Sequence, residues 1–337
     1  MSGADGVEPA GAGAGARGQG GRLIKGARGR WARVAGLVLV VAVAGLLARA
    51  AYDNFGALGR VHVALHAGWL VLAVPCSLAS GLLLALGWRS MLAAWGAVIG
   101  RAVAVRVWWR AQAGRYLPTG AFQVVSREVL AGRAGVARSL GATSNVIELG
   151  VLLAWGAVVT GVFLPSRLLP VPARVLVGLA GAAVVVALPW GMRLASAAAP
   201  RVVPRLMARA PALAGMGRSP AALYRSAGLY GVSTAAKTAA FVLMAAGMVT
   251  VHPGDAFLLA GAVQGASIVG VLSISPAGIG VREAMFVVLL ESRFGAGDAL
   301  VLAVAWRAWE LAWELVWLAV GAVGAGVARS VRRTAAH

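Results

Sequence analysis

The chain is poor in charge, and poorest in acid. Of its 337 residues only 12% are charged, and 11 acidic side chains stand against 31 lysines and arginines. A soluble domain of this length carries about twice that charged fraction, so water cannot be the solvent for most of it. Cysteine is nearly absent: Cys76 stands alone inside an apolar run, which excludes an intramolecular disulfide and a cysteine metal cluster. Histidine occurs only at 62, 66, 252 and 337, with no metal-ligand spacing, so no metal is expected. The glycine-rich GAGAGARGQGG has no strand before it and no Gly-Lys-Ser after it. It is therefore not a nucleotide loop, and no cofactor is expected. No nucleophile sits beside a base, so no catalytic residue is assigned.

What the chain has is hydrophobic length. It is 60% hydrophobic, with a mean hydropathy of +0.82, and the apolar residues come in long runs. That excess demands lipid, and in lipid the backbone satisfies itself as helix. The expected fold is an all-α polytopic bundle of about eight spans with broken or re-entrant helices. The spans fall near 34–47, 69–88, 142–164, 171–190, 227–249, 256–274, 279–294 and 299–327. The first is short, the seventh is weak, and the last is long enough to tilt or protrude. Residues 1–32 read as a disordered basic Gly/Ala-rich cytoplasmic tail, 33–328 as the membrane domain and 329–337 as a short basic cytoplasmic tail. A cleaved signal peptide ending near Ala48-Arg49-Ala50 is the rival for the first run, but the long leader and the spans that follow favour an uncleaved anchor.

The net charge of +20 would suggest nucleic acid in a soluble protein. Here the arginines sit between apolar runs, which fits a cytoplasmic membrane surface, and no nucleic acid is expected. They crowd the leader, the segment from Arg89 to Arg138, the segment from Arg193 to Arg225, and the tail. The connection His252-Pro253-Gly254-Asp255 has none. The positive-inside rule then puts both termini in the cytoplasm of a multi-pass inner-membrane protein. Within 91–138, Trp95, Trp108 and Trp109 alternate with arginines as in a helix lying in the interface. Residues 195–219, with three prolines, read as a surface loop or a broken interfacial helix.

Charges inside spans are costly and are either paired or functional. The candidates are Glu148, Lys237, Arg282, Glu283, Arg307, Glu310 and Glu314, with Gln264 as a mid-span amide. Arg307, Glu310 and Glu314 share one helix face at i, i+3, i+7. Two readings stand: these groups tie the bundle together as interhelical pairs, or they line a cavity for a charged lipid head group. Gln264 fits an interhelical hydrogen bond, and Trp309, Trp313 and Trp317 fit packing or an interfacial anchor.

Two places join a helix breaker to charge. One is Tyr116-Leu117-Pro118-Thr119-Gly120 followed by Arg127-Glu128. The other is Ser275-Pro276-Ala277-Gly278-Ile279-Gly280 followed by Arg282-Glu283. Proline removes a backbone donor and glycine relaxes the backbone, so each should interrupt a helix beside a cavity and offer free N–H groups to an anion. Paired breaks in separate halves mark transporter sites; two ordinary cytoplasmic turns are the plainer alternative.

GRYLPTGAFQVVSREVL, SISPAGIGVREAMFVVLLESRFG and the late Arg307 resemble the lysylphosphatidylglycerol synthase transmembrane-region family, which includes flippase-like proteins and the membrane half of the multiple peptide resistance factor. The resemblance implies roles for Pro118, Gly120, Arg127, Glu148, Pro276, Gly278, Gly280, Arg282, Glu283 and Arg307. Thr119 and Ala277 replace glycines common in the family. No counterpart of the resistance factor's aminoacyl-transferase domain is seen, so lysyl transfer is not expected. The resemblance implies flippase-like binding or movement of an anionic phospholipid, an aminoacyl-lipid or a polyprenyl-phosphate sugar, with a glycosyltransferase or synthase as a possible partner. The alternatives are a lipid-modifying enzyme using Glu148, Glu310 or Glu314 as acid–base groups, or an accessory scaffold for cell-envelope assembly.

Overall fold

The structure, a computed structural model, describes residues 65–112, 114, 121–202, 204–205, 211–273, 278 and 280–334. The expected tail, the first span at 34–47, Pro118, Gly120 and Pro276 lie outside these residues. Among the described residues there is no strand. The helices are α1 (Ala67–Ala94), α2 (Arg101–Gln112), α3 (Ala121–Arg133), α4 (Arg138–Phe163), α5 (Val171–Val202), α6 (Pro220–Ala246), α7 (Asp255–Leu272) and α8 (Val281–Thr334). Five of them, α1, α4, α5, α6 and α7, are long and apolar enough to cross a membrane. The protein is an all-α, multi-pass membrane protein.

α8 is not one rod. Gly295 interrupts it with φ 81° and ψ 157°. Arg282 and Glu310 are 28 residues apart yet their side chains meet at 2.5 Å, whereas a continuous helix would separate them by about 42 Å. The chain therefore doubles back at Gly295. The two arms are called α8a (residues 281–294) and α8b (residues 296–334) below. They match the seventh and eighth expected spans.

Small residues let these helices approach closely, as lipid-embedded helices require. Across α1 and α6, Ser80 and Ser233 hydroxyls meet at 3.1 Å, and Ser226 donates to the Gly87 carbonyl at 2.8 Å. Across α4 and α5, a Cβ on Gly161 would lie 2.6 Å from the Gly178 nitrogen. Hydroxyls and backbone here do what hydrophobic burial does in water.

One sequence reading needs correction. The Trp108 segment is not a surface helix: α2 turns Val107, Trp108 and Trp109 into the core, at 2% exposure for Trp108. Its tryptophans find partners inside the bundle, which an interfacial helix would not provide. For 195–219, the described residues leave the broken-helix alternative standing rather than the loop. α5 runs through Pro189 and Pro200 to Val202, and a short 3-10 turn forms at Pro211–Gly215.

Candidate functional site

The intramembrane charges sort into two clusters. The first is built on α3, α4 and α6 with indoles from α1 and α2. Arg127 Nη1 donates to Glu148 Oε2 at 2.8 Å. The same carboxylate accepts from Trp108 Nε1 at 3.0 and 3.1 Å and from the Tyr230 hydroxyl at 2.9 Å. Trp88 Nε1 donates to Ser144 Oγ at 2.8 Å, which fixes the indole beside Arg127. The guanidinium carbon lies 5.3 Å from the Trp108 ring centre and 5.7 Å from that of Trp88. Arg127 is 0% exposed and Glu148 4%. The cluster is closed on every side.

The second cluster joins α6, α8a and α8b. Its local shape begins at the break. Gly278 has φ +69°, and a Cβ there would sit 2.9 Å from the Gly270 Cα and carbonyl. Only glycine at both positions lets the break fold back on α7. Gly270 in turn faces the Arg282 side chain, with a virtual Cβ 3.0 Å from the Arg282 Cβ. Gly280, at φ +82°, opens α8a, and Glu283 reaches back to accept from its N–H at 2.7 Å. That is the carboxylate half of a capping box, and it points Glu283 into the crevice.

Glu310 on α8b is the hub. It accepts from Arg282 Nη1 at 2.5 Å on one oxygen and pairs with Lys237 Nζ at 2.8 Å on the other. Arg307 lies 4.0 Å from Glu283, too far for a hydrogen bond. Four buried donors here have no acceptor: Nε and Nη2 of Arg282 and Nε and Nη2 of Arg307. The side chains are not sealed: Lys237 is 33% exposed, Glu310 17% and Glu283 13%. Unsatisfied guanidinium donors next to partly exposed charged side chains suit a multi-oxygen anion.

The remaining candidates are placed as follows. Glu314 lies one turn beyond Glu310 and is partly exposed. Gln264 donates to Thr238 Oγ1 at 2.8 Å between α7 and α6; it is an interhelical tie beside Lys237. In the tryptophan stripe, Trp309 donates to Ser77 Oγ at 2.8 Å and Trp317 stacks on Trp109 with ring centres 5.5 Å apart, so these rings pack. No group of three or more His, Cys, Asp or Glu among the described residues could hold a metal.

Sequence reasoning missed Tyr230, Trp88 and Trp108 as partners of the buried pair. Tyr230 had a signal, since it lies seven residues before Lys237 on the same face of α6. It missed Arg293 and Asp255 altogether. A family model described as lysylphosphatidylglycerol synthase TM region matches residues 33–331 of the chain. No curated protein and no solved structure matches it.

Proposed function

The chain belongs to the lysylphosphatidylglycerol synthase TM region family, and we propose that it is a flippase-like protein that holds a lipid phosphate at Arg282, Arg307 and Lys237. The observation that carries this reading is the set of four buried guanidinium nitrogens of Arg282 and Arg307 without an acceptor, in a cluster whose Lys237 is one-third exposed. In the empty site Glu310 holds Arg282 and Lys237 in place. An entering phosphate supplies the missing acceptors to Arg282 and Arg307 and competes with Glu310 for its two cations. Glu310 and Glu283 are then free to meet an amino group on the same head group, so anionic, aminoacylated and polyprenyl-linked lipids all fit the chemistry.

We infer from the arginine-rich segments that both termini face the cytoplasm at the inner membrane, which would make the 252–255 connection the far side. Wild type and Arg307→Ala would be reconstituted in liposomes containing a fluorescent phosphatidylglycerol, with leaflet exchange read by a membrane-impermeant quencher. Loss of one charge-assisted phosphate ligand should slow exchange by roughly 10-fold or more. Equal exchange by the two proteins would overturn the assignment.

A further inference from the structure

We propose that α8a is a lever hinged at both ends, and that Arg293 and Asp255 are positioning residues that hold its Arg282 end against Glu310. The proposal rests on the reading of the Arg282 cluster as the head-group site, but its test does not depend on head-group binding or lipid exchange.

The lever is visible in the backbone. α8a is bounded by positive-φ glycines: Gly278 and Gly280 on one side, at +69° and +82°, and Gly295 on the other, at +81°. Between them runs an uninterrupted helix that cannot bend easily. At its start Arg282 and Glu283 face the crevice. Near its end Arg293 closes a second, separate cluster. Arg293 Nε donates to Asp255 Oδ1 at 2.6 Å and Nη2 to Oδ2 at 2.7 Å. Nη2 also lies 2.8 Å from His252 Nδ1, and the His252 backbone N–H donates to Asp255 Oδ2 at 2.9 Å.

A short two-pronged arginine–carboxylate fork is the most directional ion pair a protein makes. This one ties the first residue of α7 to the end of α8a. The break at 273–280 already joins the other ends of the same two helices, so the fork closes the open end of a hairpin. Arg293 is 11 residues from Arg282, about 16 Å along a rigid helix. Releasing the fork leaves the rod held by its glycines, its apolar face and the Arg282–Glu310 pair at its far end. A tilt there carries Arg282 off Glu310 and moves Glu283 relative to Arg307. The head-group site is thereby controlled from the membrane face opposite the basic segments.

The test follows burial of the lever's packing face. Ala303 on α8b is 1% exposed and packs in the cluster that holds Phe286, Leu289 and Leu290 of α8a. A single cysteine at Ala303→Cys in a Cys76→Ser background should react slowly with a thiol reagent in nanodiscs. Adding Arg293→Ala should speed its modification about tenfold or more. Asp255→Asn, which keeps the shape and removes the charge, should do the same. The swap Asp255→Arg with Arg293→Asp should restore slow modification, which a general loss of packing would not allow. Unchanged protection in Arg293→Ala or in Asp255→Asn overturns the lever. So does a swap protein that is monodisperse yet as reactive as the single variants; should the swap not fold, the Asp255→Asn result decides.

Discussion

Two buried arginine–glutamate clusters sit in one helical bundle, and they are built to opposite ends. At Arg127–Glu148 the carboxylate accepts from a guanidinium, an indole and a phenol, and no atom of Arg127 reaches the surface. At Arg282–Glu310 the carboxylate bridges two cations while four guanidinium donors wait unbonded, and the side chains stay partly open. Arg127 also leaves Nε and Nη2 without an acceptor, but two indole faces lie against its charge, and nothing can enter. Each arginine in both clusters leaves two nitrogens unbonded, so exposure separates them: the sealed pair fits architecture, and the partly exposed one fits the proposed head-group site. Charge inside a membrane therefore does not mark function until the exposure of its whole cluster has been weighed with its donors.

The largest expected effect tests that contrast directly. Glu148→Gln strands the Arg127 charge in a closed site and should cost about 3–5 kcal/mol, read as a fall in thermal stability in detergent. Glu310→Gln strands a buried Arg282 but leaves Lys237 one-third exposed to solvent, and should cost less than Glu148→Gln. Similar losses for the two would erase the distinction. A paired replacement sharpens it. Arg127→Met with Glu148→Leu removes both charges and should recover most of the stability lost by Glu148→Gln, because a buried pair replaced by apolar groups is often near neutral. It should also keep lipid exchange. Arg282→Met with Glu310→Leu should fold comparably but lose exchange in the liposome assay. A double variant of the closed cluster that folds yet no longer moves lipid would make that cluster part of the site.

Next in size is Tyr230→Phe. The hydroxyl donates to a buried carboxylate that keeps its arginine and indole partners. A hydrogen bond to a charged group is worth about 1.5–3 kcal/mol, so the melting point should fall while exchange persists.

Much of this fold was legible in the sequence because lipid leaves few options. Apolar runs announced α1, α4, α5, α6 and α7, and Ser-Pro-Ala-Gly-Ile-Gly announced the turn whose Gly278 and Gly280 indeed carry positive φ. Every intramembrane charge named from the sequence at a described position falls in or beside one of the two clusters. What could not be read was pairing. Arg282, Arg307 and Lys237 were equally available to Glu148 by composition, and only the reversal at Gly295 puts Arg282 and Glu310 at one depth. That reversal has a weak signal, Phe294-Gly295-Ala296-Gly297, which resembles many glycine pairs in this chain. The α2 tryptophans misled because an indole beside arginine looks the same at an interface as in a core. The difference is made by distant partners, Glu148 for Trp108 and Trp317 for Trp109.

The smallest expected effect is the counterpart of Tyr230→Phe in the open cluster. Trp309 sits one residue before Glu310, and its Nε1 donates to Ser77 Oγ at 2.8 Å across α8b and α1. The bond is neutral and only partly buried. Ser77 already has a second partner, donating to the Ala73 carbonyl at 3.0 Å. Trp309→Phe keeps an aromatic ring against Trp313, now 5.9 Å away between centres, and removes only the donor. Neutral hydrogen bonds contribute about 0.5–1.5 kcal/mol, so stability should fall by no more than that, below the cost of Tyr230→Phe. Exchange should be affected no more than stability, because the indole orients α8b without touching the guanidinium donors. A loss of exchange matching Arg307→Ala, with stability intact, would instead place the Trp309 ring against the lipid and turn the stripe from packing into part of the site.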